Sequence, residues 1–218
     1  MKKITMLSLL GLTGLLAACG SQQEASKSNF EKAINDAIGE QKVCLPVGLA
    51  THDDQGAPSV DRRLLGDKEI RIPTQNADGD KINQSALKQM AVLVDAKLYE
   101  EGEKAEIASG QGDKTVPVAV FYRTQAGDKQ MVASPNGSLL CLGTPKVDKV
   151  ELFTEPTPAN GVTVSKVVYE AKLVPEKWAS KLLKAGDEES AKILDEPQRE
   201  SATLVLTNQG WRDARALR

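Results

Sequence analysis

The chain has 218 residues, 28 basic against 30 acidic side chains and a net charge of −2, with 40% hydrophobic residues. That balance lacks the strongly positive face by which nucleic-acid binders hold phosphate. The length suits one good domain or two small ones that share a core.

Met1-Lys2-Lys3 gives a short positive start, and residues 4–16 form an uncharged, mostly apolar run. A bilayer-spanning helix needs about 20 such residues, so this run has the size of a signal-peptide core. Ordinary secretory cleavage before Cys19 would need a small residue where Leu16 stands. Leu16-Ala17-Ala18-Cys19 instead resembles a bacterial lipobox, which prefers Leu at that position. The resemblance covers about the first 20 residues. It implies cleavage before Cys19, a diacylglycerol thioether on its sulfur and a further acyl chain, such as palmitate, on its amino group. Each buried methylene contributes about 0.8 kcal/mol, so several chains anchor a domain firmly. In lipoproteins of diderm bacteria, an Asp after the lipidated Cys favours inner-membrane retention. Gly20 stands there, which implies an outer-membrane protein facing the periplasm, with inner-membrane or surface placement as alternatives.

The chain then divides into a signal peptide (1–18), a lipidated Cys with a flexible tether (19–28) and a single α+β domain (29–218). The domain has two candidate sub-halves, 29–134 and 135–218. Cleavage leaves 26 basic and 30 acidic residues. It also leaves Cys44 and Cys141, which an oxidising envelope is expected to pair as a disulfide.

Residues 20–28 are small and polar, with a typical reach of roughly 15–18 Å. Ser28 and Glu31 have capping-box spacing, and Phe30, Ala33, Ile34, Ala37 and Ile38 follow at helical intervals up to Gly39. Residues 51–63, "THDDQGAPSVDRR", are turn-rich and read as loop. A second helix is expected from Asn83 to about Tyr99, with Leu87, Met90, Ala91, Val94 and Leu98 on its apolar face. From Val116 onward, strands predominate. "VPVAVFYR" and "KQMVAS" flank a turn at Ala126-Gly127, and "SLLCLG", "KVELFTEP", "VTVSKVVYEAKLV" and "ATLVLT" follow. Pro175 is expected to open a helix over "PEKWASKLLKA". The irregular order of helices and strands favours N-terminal helices followed by a mainly antiparallel, strand-rich half.

"ALKQMAVLVDAKLYEEG", "SGQGDK" and "VPVAVFYRTQAG" resemble the second half of a winged helix, over about residues 86–127. The wing has one Lys and the helix presents no Arg, so the resemblance implies a protein-interaction scaffold and not a DNA reader.

Residues 76–84, "NADGDKINQ", imitate a calcium loop but lack two of its carboxylates, and are read as a solvated turn before the helix. His52 is the sole histidine, with Asp53, Asp54 and Asp61 nearby in sequence. No zinc-ligand spacing and no G-x-S-x-G accompanies it, so an exposed loop histidine is expected. "SGQGDK" lacks the Gly-Lys-Ser/Thr ending of a phosphate cradle. Trp178 sits among apolar residues at helical spacing and is assigned to the core. Trp211 is assigned to packing, for instance over a sheet edge, with contact to a partner, shared with Arg212, as the alternative.

No catalytic residue, metal site or cofactor is assigned. The leading expectation is a lipid-anchored envelope protein that binds an envelope partner or assists assembly, without binding nucleic acid. Its alternatives are a periplasmic small-ligand carrier, with a cavity between the helices and the strands, and a hydrolase or metal-dependent enzyme centred on the His52 loop.

Overall fold

A computed structural model describes residues 22–52, 57–62, 64–109 and 113–217. The lipobox with Cys19, Gly20, and the carboxylates Asp53 and Asp54 lie outside them. The order of elements is α1 (Lys27–Ile38), β1 (Val43–Leu45), β2 (Leu49–His52), β3 (Pro58–Asp61), β4 (Glu69–Pro73), α2 (Gln84–Asp95), β5 (Tyr99–Glu101), β6 (Ala105–Ala108) and β7 (Thr115–Arg123). There follow α3 (Gln125–Asp128), β8 (Met131–Ser134), β9 (Gly137–Phe153), β10 (Thr157–Ala159), β11 (Val162–Pro175), α4 (Ala179–Gly186), β12 (Gln198–Thr207) and β13 (Gly210–Asp213). Short 3-10 turns occupy Leu64–Gly66, Glu189–Leu194 and Ala214–Leu217. Helix and strand are mixed, and the strands pair antiparallel. The largest sheet runs β1-β9-β11-β12-β13, with β8 beside β9 and β10 beside β11; β4-β7-β5 with β6 form a second, and β2–β3 a third.

The apolar stripe of α1 is as expected: Phe30, Ala33, Ile34 and Ile38 are buried. Full burial of side chains the size of Phe30 and Ile34 is worth about 1.5–3 kcal/mol each. The helix starts earlier than Ser28 and Glu31 suggest. Ser26 is the cap, in extended conformation, and its hydroxyl accepts from the Asn29 N–H at 3.3 Å.

Several expected elements change. Residues 49–52 and 58–61, inside or beside the expected loop, pair as the β2–β3 hairpin, from Leu49 with Asp61 to His52 with Pro58. The second helix stops at Asp95 because Lys97 takes a left-handed φ of 60°. The Lys97 N–H then reaches the Val94 carbonyl, and the Leu98 N–H reaches the Leu93 carbonyl. This closure releases Tyr99 into β5. The buried face of α2 is Ala86, Gln89, Met90 and Leu93, whereas Ala91 is exposed. Ala126-Gly127 lie in the one-turn α3, and the strands on either side of it, β7 and β8, belong to different sheets. "SLLCLG" and "KVELFTEP" are joined in the single strand β9. Pro145 is tolerated there because β1 covers β9 only as far as Gly143. Two residues on, the Val147 N–H points out of the ladder and donates to Asn35 Oδ1 of α1 at 2.9 Å, so Pro145 stands where no strand partner needs its N–H. Pro175 closes β11 opposite Gly143 and does not open a helix; α4 begins after Trp178.

There are two cores. Leu49, Ile70, Ile72, Met90, Leu93, Tyr99, Leu142 and Leu182 centre one, with Trp178 packed against it. Phe30, Ile34, Val150, Val167, Tyr169, Leu204 and Trp211 centre the other. Each draws on both 29–134 and 135–218, since α1 packs on β9 and β13 while α4 packs on α2. β9 and β11 run through both.

Candidate functional site

Cys44 and Cys141 face each other across the β1–β9 pair and form a disulfide, with sulfurs 2.01 Å apart. Their bond ties the chain that follows α1 to the first third of β9. It is a structural brace, distant in sequence by 97 residues.

Trp211 is 4% exposed and is used inside the protein. Its ring meets Phe30 edge-on at 4.9 Å, and Phe30 meets Phe153 edge-on at 4.8 Å. The indole N–H donates to the carbonyls of Gln23 and Glu24, both at 3.2 Å. Asn29 Nδ2 donates to the Glu24 carbonyl as well, at 2.9 Å. Residues expected to be free tether are therefore seated on the fold from Gln22 onward. Arg212 reaches Asp36 Oδ2 at 3.2 Å, an exposed pair of small energetic value. Beside them, Asp213 is buried against Arg215, which donates to both its oxygens at 3.0 and 2.7 Å. Burial pushes the Asp213 carboxyl up, but these bonds outweigh it and hold the acid below its ordinary range.

His52 is exposed at the end of β2, on a polar cleft of about 550 Å³ that also includes Asp61, Arg71 and Asn83. Its Nδ1 lies 3.2 Å from Asn83 Oδ1, and its backbone N–H donates to that oxygen at 2.7 Å. Asn83 is 3% exposed, and its Nδ2 donates to the Pro73 carbonyl. This one amide thus bolts β2, β4 and the start of α2 together. A neutral amide occupies the ring position where a nucleophilic triad places a carboxylate. Among the described residues, no group of three or more His, Cys, Asp or Glu is placed to hold a metal. The 76–84 segment is the expected turn: Asn76 Oδ1 accepts from the N–H groups of Asp78 and Asp80, and Gly79 adopts a φ of 90°.

A second cleft, of about 570 Å³, was not legible from the sequence. Leu45, Val47, Leu142 and Leu183 supply its apolar lining, and Val60 and Ile193 stand at 62% and 49% exposure on it. Arg62, Asp187, Glu189, Lys192 and Glu196 supply charge of both signs. Gln89 explains how one wall is held: its Oε1 accepts from the Ala50 N–H at 2.8 Å, and its Nε2 donates to the Gly48 carbonyl at 3.1 Å. On the other wall, Asp187 accepts from the N–H groups of Glu189 and Ser190 and starts the 3-10 turn. The size and apolar lining are those of small-molecule sites, which commonly occupy about 300–1,000 Å³. Nothing in the sequence marks the cleft, since Gln89 falls outside the apolar face expected for the second helix.

Among the described residues, no helix is long and apolar enough to cross a membrane. No family model matches this chain, and none of the curated proteins or solved structures compared with it matches either.

Proposed function

We propose that this protein is a lipid-anchored lipoprotein of the bacterial cell envelope whose domain binds a partner instead of catalysing a reaction. The observation that carries the reading is Leu16-Ala17-Ala18-Cys19 in register behind a basic start and a short apolar run. Gly20 favours the outer membrane and a periplasm-facing domain. The cleft between the β2–β3 hairpin and the Glu189–Leu194 turn supports binding, because exposed Val60 and Ile193 keep apolar surface open there. The winged-helix resemblance of residues 86–127 would add a shape for contact; what bears on it is that α2 is followed by β5 and β6, both antiparallel to β7.

In-cell crosslinking from a photoreactive residue at position 193 tests the reading. A reproducible envelope protein, lost when Cys19→Ala releases the domain, is the expected result. Failure to capture any partner from position 193, in cells where the lipidated protein is abundant, would sink it. The second reading, a periplasmic carrier of a small apolar ligand, is favoured by the same cleft volume. For it, a thermal-shift screen is expected to find a ligand that raises stability by about 2.7 kcal/mol at 100 times its dissociation constant.

A further inference from the structure

The free tether is much shorter than its composition suggests. Were residues 20–28 all mobile, their typical reach would be roughly 15–18 Å and the domain could tumble. The structure seats Gln22, Gln23 and Glu24 on the β13 end of the domain. Gly210 is what permits it: its φ is 95°, and a Cβ there would stand 2.8 Å from the Gln22 carbonyl oxygen. Only three residue steps separate Gln22 from Cys19, a span of about 11 Å at full extension.

The location of that seat sets the orientation. Thr207 pairs with Gly210 at the β12–β13 turn, and Thr163 pairs with Leu206 beside it. The β10–β11 turn at Asn160-Gly161 is therefore at the same end. The turn tips there, Asn160, Gly161, Asn208 and Gln209, carry no formal charge and meet lipid headgroups without stripping water from an ion; the charged Glu24, Lys32, Asp36 and Arg212 lie around Gln22. Along β11, Pro175 lies opposite Gly143, next to Leu142 in the apolar cleft. From Thr163 to Pro175 is about 40 Å at about 3.3 Å per residue.

We infer that the domain stands end-on at the bilayer, with its Asn160-Gly161 and Asn208-Gln209 turns against the headgroups and its cleft held away from them at the other end of β11, by up to about 40 Å. The occupant of this end is the lipid surface that carries Cys19, and the inference rests on the proposed lipidation.

The test uses the full-length protein, matured in cells and reconstituted into vesicles containing a quencher-labelled headgroup lipid. Gln209→Cys, Glu40→Cys and Glu196→Cys each receive one fluorophore. Quenching at position 209 is expected to exceed that at 40 and 196 several-fold. An insert of about 12 Gly and Ser residues after Gly20, which raises the typical reach from roughly 10 Å to roughly 21 Å, is expected to erase the difference. Equal quenching at all three positions, or stronger quenching at 40 as for a domain lying on α1, overturns the orientation. So does a gradient that survives the insert. Mass spectrometry separates the two failures: a mature protein without diacylglycerol on Cys19 refutes the anchor itself, whereas a lipidated protein with a flat profile refutes only the end-on stance.

Discussion

Replacing Cys44 and Cys141 together with alanine is expected to cost this fold about 4.7 kcal/mol. The bridge spans 97 residues of sequence, and the chain-entropy model gives that figure for a loop of this size at 25 °C. The folded state changes little, since the two positions remain ladder partners across β1 and β9. The effect lies in the unfolded chain, which gains the freedom that the bridge denied it. Two signatures follow. The melting temperature falls by about 10–19 °C for a domain of this size. The urea m-value rises, because the unbridged chain exposes more surface. Trp178 packs on one core and Trp211 lies in the other, so fluorescence during urea unfolding reports on both. A loss below about 1 kcal/mol with an unchanged m-value would refute the entropic reasoning, since a typical domain has only about 5–15 kcal/mol to lose.

Trp211→Ala is expected to cost about 3–5 kcal/mol, and a Phe30/Trp211 double-mutant cycle a coupling of about 0.5–1.5 kcal/mol; additive losses in calorimetry would contradict the edge-on contact. Gln89→Leu leaves the Ala50 N–H and the Gly48 carbonyl without their partner and is expected to cost about 2 kcal/mol or more, seen as faster amide exchange at Ala50. Asp213 is more acidic folded than unfolded, so its contribution is complete above the unfolded value near about 3.9 and is lost as pH falls through the folded value. Asp213→Asn is thus expected to flatten the acid limb of a stability-versus-pH curve, and an unaltered limb would show that Arg215 contributes nothing there. His52→Ala is expected to leave the envelope partner bound, checked by the same crosslinking from position 193.

Legibility followed how far each signal depends on neighbours in sequence. The stripe of α1 and the strand runs around residues 116–123, 162–174 and 202–207 were readable because each carries its own period. Cys44 and Cys141 were readable by counting once Cys19 was set aside. The β2–β3 hairpin was not, since His52, Pro58, Ser59 and Val60 are exposed and give no alternation. Pro145 disguised the continuity of β9, because whether a strand has become an edge depends on where β1 ends. The end of α2 turned on the left-handed Lys97, a conformation that no local rule demands of lysine. Gln89 looked like a surface residue, and its partners are some forty residues away. The apolar cleft was least readable of all: its lining comes from β1, β2, β3, α2, β9, α4 and the turn after it. Packing, the role assigned to Trp211, is what the structure shows, but its hydrogen-bond partners, the carbonyls of Gln23 and Glu24 at the start of the domain, could not be read from so far along the chain.

Among the described residues the β2–β3 hairpin pairs with no other strand, and a lone two-stranded ribbon is marginal in water. What keeps it in place is Leu49, fully buried in the first core, and a pair of side-chain amides, Gln89 on Gly48 and Ala50 and Asn83 on His52. β9 and β11, by contrast, are locked into both cores. The domain therefore sets a spine shared by two cores against a hairpin held by one buried side chain and two amides, and that hairpin is a wall of the cleft. Substitutions at Gln89 or Asn83 are thus expected to alter the cleft before they disturb the spine.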